Sequence, residues 1–149
     1  VNVSRLPGMR DDQGGGAEDL VRRLHAAMNA HDLGAFVACF AEDYDSAQPV
    51  HPERAFRGSA QVRANWSAIF ADVPDFRAEL VAADVAGDTA WTEWRWPGTR
   101  ADGGRMDVAG VMVLRVRDDR IASARLYLEP VDDAGEAGGA TLVEDITER

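Results

Sequence analysis

Lysine is missing from this 149-residue chain: all 16 basic residues are arginines, set against 26 acidic ones, for a formal net charge of −10. A surface this acidic repels polyanions, so nucleic acid is not an expected partner. Cysteine is nearly missing as well. The lone Cys39 cannot close an internal disulfide, and beside Val37 and Phe40 it reads as a buried, inert thiol; nothing points to an oxidising compartment. No apolar run is long enough to span a bilayer. The first residues, with Arg5, Arg10, Asp11 and Asp12 around Pro7 and Gly8, lack the apolar centre of a signal peptide. The expectation is a soluble, cytoplasmic protein without membrane contact. A phosphate-cradling turn is lacking too: Gly14-Gly15-Gly16 precede a helix but follow no strand, so no cofactor is implied. His25 and His31 have no matching ligand spacing, and no metal is assigned.

What is present is a core. At 46% hydrophobic, a chain of this length suits one domain. Its most telling stretch runs from Ala90 to Pro130. There Trp94, Trp96, Met106, Val108, Met112, Leu126 and Leu128 share one parity, while Glu93, Arg95, Asp107, Arg115, Arg125, Tyr127 and Glu129 share the other. Strand side chains alternate between faces, so this describes a sheet with an aromatic and Met-rich inner side and an ionic outer side. Such an inner side needs a cover, and an incomplete cover leaves a small-molecule pocket.

Along the chain, residues 1–16 read as a flexible leader and 132–149 as an acidic, Gly-rich tail. From Ala17 to Ala30, Leu20, Val21, Leu24 and Met28 recur at helical spacing. Asp32 caps a second, shorter helix, and Glu42-Asp43-Tyr44 leads into a strand reaching about Gln48. A loop marked by Pro49, Pro52 and Gly58 follows. Ser59 is expected to cap a third helix with Val62, Trp66, Ile69 and Phe70 on one stripe. Four strands are predicted over 76–86, 89–97, 105–117 and 120–130, joined in part by the tight turns Gly87-Asp88 and Asp118-Asp119. Helices first and a meander afterwards make the fold α+β.

This order of elements, with Phe40-Ala41-Glu42-Asp43, Phe56-Arg57-Gly58 and Asp118-Asp119-Arg120-Ile121, resembles the nuclear transport factor two-like superfamily and, more narrowly, its SnoaL-like, polyketide-cyclase-like branch. The resemblance covers roughly 17–131. It implies a cone in which a curved, mostly antiparallel sheet wraps the N-terminal helix and leaves a pocket at the open end. The same cone hosts enzymes and noncatalytic binders, so function has to be read from the site. The ketosteroid isomerase pattern puts Gln48 at the base position, Leu24 at the tyrosine and Met112 at the acid; an amide, Leu and Met cannot do that chemistry. The pattern of a limonene-epoxide-hydrolase-like site puts Trp94, Trp96 and Leu126 at its three positions, where none carries a proton.

The candidate pocket accordingly has Trp66, Trp94 and Trp96 as an aromatic box, with Leu24, Met28, Met112, Leu126 and Leu128 as further wall. Ser46 and Gln48 share the inward parity of the first strand and are the polar contacts for a bound carbonyl or hydroxyl. His51, in His51-Pro52-Glu53-Arg54, is placed at the rim as the weak candidate for a proton carrier, with Arg54 able to hold an anionic group. On the outer face, Trp91, Val111 and Val113 lie among Glu93, Arg95, Arg125, Tyr127 and Glu129, the composition of an interface core with a polar rim. The expected function is binding of a small, largely apolar molecule by a homodimer. Its alternatives are a cyclase, isomerase, dehydratase or hydrolase acting on a polyketide-like or terpenoid-like substrate, and a structural module whose cone is filled by its own side chains.

Overall fold

The computed structural model describes residues 16–133. Apart from Gly16, Asp132 and Asp133, the expected leader and tail lie outside them. Three helices, α1 (Gly16–Ala30), α2 (Leu33–Ala38) and α3 (Ser59–Asp72), accompany six strands. These are β1 (Phe40–Ala47), β2 (Phe56–Arg57), β3 (Glu79–Ala86), β4 (Thr89–Thr99), β5 (Arg105–Arg117) and β6 (Arg120–Pro130). They form one sheet in the order β2-β1-β6-β5-β4-β3, antiparallel throughout except where β1 runs parallel to β6. The architecture is the α+β cone expected from the sequence. The register shifts between Leu80 and Ala82, between Arg115 and Val116, and between Phe40 and Asp45; such bulges bend a sheet.

Helix α1 buries Leu20, Val21, Leu24, Ala27 and Met28 as one stripe and packs against β3, β4 and β5. Each of the fully buried Leu and Met side chains contributes roughly 2 kcal/mol by leaving water. The C-terminal half of α1 is also tied to the chain that enters β3. Asn29 accepts from the Ala78 N–H (2.8 Å) and donates to the Ala78 carbonyl (3.0 Å), which His25 also meets at 2.9 Å. His31 reaches the Phe76 carbonyl at 2.7 Å. β3 begins at Glu79 and not at Phe76: polar groups of α1 and the turn after it take up backbone groups of Phe76 and Ala78, and only the Arg77 N–H reaches β4, at the Pro97 carbonyl (3.3 Å).

The Asp32 cap forms as expected, its carboxylate accepting from the Ala35 N–H. The Ser59 cap does not. Ser59 is the first helical residue, and Gly58 takes the cap position at φ 95° while its N–H donates to the Tyr44 carbonyl. The short strand β2 and a single 3₁₀ turn over Pro52–Arg54 occupy what reads from sequence as plain loop. Runs of two and three residues are too short to carry a periodic signal.

The alternation read from the sequence holds across β4, β5 and β6. Trp94 and Trp96 are 1% and 6% exposed and Met112 is buried, whereas Trp91 and Tyr127 on the other parity are 50% and 40% exposed.

Candidate functional site

The candidate site is the hollow between α1, α2, α3 and the inner sheet face. Its deep end is set by Leu24 and Met28 of α1, Leu114 of β5 and Ile121 of β6, all fully buried. Phe36, Val62, Trp66 and Ile69 close it from the helical side. Exposure rises toward Gln48, Phe56, Asn65 and Leu126, which mark the mouth. The enclosed volume is about 170 Å³, close to the roughly 150 Å³ of an engineered apolar cavity that holds benzene. A single ring with a small substituent suits such a volume.

Aromatic packing shapes the walls. Trp66 stands edge-on to Trp96 with ring centroids 5.3 Å apart, and Phe36 lies 4.5 Å from Trp66. The third tryptophan of the expected box is elsewhere. Trp94 fills the space beneath α1, edge-on to His25 at 5.7 Å. Its indole N–H donates to the Thr92 hydroxyl (2.7 Å), which donates to the Met112 carbonyl (2.8 Å). It is therefore satisfied core and not cavity wall. Leu128 is likewise half-buried against the core edge without lining the hollow. Leu24, Met28, Trp66, Trp96, Met112 and Leu126 do line it.

Polar groups come mostly from one strand and its continuation. Tyr44, Ser46 and Gln48 project inward at every second position. Burial pushes the Tyr44 phenol up to about 12, against the opposing hydrogen bond of the Ser46 side chain. The phenol is a protonated donor throughout the neutral range. Tyr44 was not among the candidates read from sequence, although it has the same parity as Ser46 and Gln48; Asn65, one residue before Trp66 on α3, had no such signal. The Trp96 indole N–H is sealed from solvent and has no partner among the described residues.

His51 is not at the rim of this hollow. The 3₁₀ turn opened by Pro52 carries it over the sheet edge, where its Nε2 lies 2.5 Å from Glu129 Oε1, a side chain of outer parity. Its neighbour Arg54 instead reaches back to the site, with Nη1 3.4 Å from the Gln48 amide oxygen. No His, Asp, Glu or Arg side chain is among the described residues lining the cavity.

On the outer face, Trp91, Glu93, Arg125 and Tyr127 are exposed and Val111 is half-buried. Val113, flanked across the strands by Trp91 and Arg125, is 1% exposed. Asp107 is buried on this side because Arg95 grips it with two hydrogen bonds of 2.6 Å and Arg105 adds a third. The Arg95 bonds above all, then that from Arg105, hold the Asp107 carboxyl below its ordinary value despite desolvation. No group of acidic, His or Cys side chains among the described residues is arranged to hold a metal ion, and no described helix is long and apolar enough to cross a membrane.

The model of the SnoaL-like domain matches residues 21–124. No curated protein matches the sequence. Among solved structures, AclR from Streptomyces galilaeus superimposes with a TM-score of 0.66 at 17% identity, covering 75% of this chain and 87% of that one. An LEH-like epoxide hydrolase from M. tuberculosis gives 0.64 at 18% identity, covering 74% and 80%. A protein with a ketosteroid isomerase-like fold from Catenulispora acidiphila DSM 44928, in complex with trimethylamine, gives 0.62 at 20% identity, covering 74% and 85%. At such identities the likeness is one of fold.

Proposed function

The chain belongs to the SnoaL-like domain family, and from that premise we propose that it binds a small, largely apolar organic molecule in the hollow of its cone. The observation that carries this reading is the cavity of about 170 Å³, walled by Phe36, Phe56, Trp66 and Trp96 and edged by neutral polar groups. An empty apolar volume forfeits contact energy that a ligand of matching shape restores.

A thermal-unfolding titration with acetophenone tests it. At tenfold excess over its Kd, a ligand that binds only the folded state stabilises it by about 1.4 kcal/mol, which raises Tm on the order of 5 °C. Ala124→Leu, which adds bulk inside the wall, is expected to remove the shift. An absent shift in the native protein with acetophenone, toluene and α-methylstyrene alike would overturn the reading.

One observation favours a catalytic variant of the same proposal. The Tyr44 phenol, buried on the cavity wall, is a hydroxyl donor for a substrate oxygen on which negative charge builds. In that case Tyr44→Phe lowers kcat by about a hundredfold while leaving the fold intact.

We also propose that the outer sheet face packs against a second copy of the chain. Exposed Trp91 and Tyr127 there lie among side chains of both signs, Glu93 and Asp84 with Arg115 and Arg125. A patch that carries both signs is one that can be complementary to its own twofold-related copy.

A further inference from the structure

We infer that the cavity selects neutral, single-ring molecules by a hydrogen-bond acceptor, that the amide NH₂ of Gln48 is the group that reads it, and that Arg54 is its positioning residue. This rests on the proposal that the cavity binds a ligand.

The argument begins with charge. No described lining residue is ionised at neutral pH, so a bound carboxylate or ammonium would enter a largely apolar space without a counter-charge, at a large desolvation penalty. Selection among neutral molecules then depends on which polar groups the wall has left unused. A guanidinium has donors only, so the end of the Gln48 amide facing Arg54 Nη1 is its oxygen. The NH₂ is what remains for a partner. Asn65 repeats the pattern at the mouth, its oxygen accepting from Gln61 Nε2 at 2.8 Å. The Trp96 indole N–H is sealed and takes no part in this selection. At the mouth the amide groups left unused are donors, while the Tyr44 and Ser46 hydroxyls deeper in can act either way, so the matching ligand presents an acceptor such as a ketone, lactone or ester oxygen to the mouth. Arg54 acts from outside: it is exposed and does not line the cavity.

Two probes of the same shape decide the matter. Acetophenone and α-methylstyrene differ only in C=O against C=CH₂, and acetophenone is expected to bind about tenfold more tightly. Benzoate is expected not to bind. Gln48→Leu should bring the ratio of the two affinities to one or below, because the ketone oxygen then goes unpaired, while preserving the affinity for α-methylstyrene. Arg54→Met should lower the ratio part of the way, because the freed amide can turn its oxygen inward. In the unmutated protein, the Gln48 side-chain NH₂ resonances should move downfield with acetophenone and not with α-methylstyrene, a reading that needs no variant to fold. Equal affinities for the two probes in the native protein, a preference that survives Gln48→Leu, or unmoved NH₂ resonances would each overturn this selection rule while leaving cavity binding in place. Binding of neither probe would remove the cavity proposal itself.

Discussion

Tyr44 is the ionisable residue of the cavity wall, and its environment gives a titration with a definite sign. Its phenol rises from 10 to about 12 because burial disfavours the phenolate. The folded chain therefore keeps a proton that the unfolded chain loses first. Stability from this source is whole below pH 10 and is lost as pH climbs through about 12. Tyr127→Phe leaves Tyr44 as the only tyrosine of the chain. In that variant, phenolate absorbance is expected to appear near pH 12 in a spectrophotometric titration; an onset near 10 in the folded protein would contradict the burial argument. The residue scale is also where parity served best and where its reach ends. Ser46 and Gln48 could be placed on the cavity side from alternation alone, and Tyr44 belongs to the same series. His51 could not, because a proline-opened turn after the strand breaks the alternation and sends the ring to Glu129.

At the scale of elements, β6 passes close against β5 at Gly110. Its φ is 150°, and a Cβ there would lie 1.9 Å from the Tyr127 carbonyl oxygen. No side chain fits without moving backbone. Gly110→Ala is expected to destabilise the fold by at least about 2 kcal/mol, read as a lowered urea midpoint; an unchanged midpoint would show that the two strands can separate freely there. The four long strands were legible because each carries several alternations, and the Gly87-Asp88 and Asp118-Asp119 turns supply the positive φ values that such links need, at Gly87, Asp118 and Asp119. Strand β2 was not legible. Its two residues pair with Asp45 and Ser46 only because α3 and the Gly58 turn bring them there.

At the scale of the molecule, the sheet has one face given to the cavity and core and one left with Trp91 and Tyr127 exposed. For the proposed sheet-to-sheet dimer, light scattering after size exclusion is expected to give about twice the 16.2 kDa chain mass. Trp91→Glu should return it to the single-chain value, since it removes an aromatic anchor of the interface and adds a carboxylate directly beside Asp84. A native protein that elutes at 16.2 kDa at every concentration would exclude the dimer.

Local sequence determined the helices, the meander and which side of each long strand faces inward, because periodicity and turn chemistry act between near neighbours. Only the tertiary structure decided that Trp96 lines the hollow with Trp66 while Trp94 supports α1, since Trp94 and Trp96 share one strand and one parity. It also decided that about 170 Å³ stays open and that Arg54, six residues beyond Gln48, turns back onto its amide. Volume and the orientation of an amide depend on how distant segments meet, and no spacing along the chain encodes that.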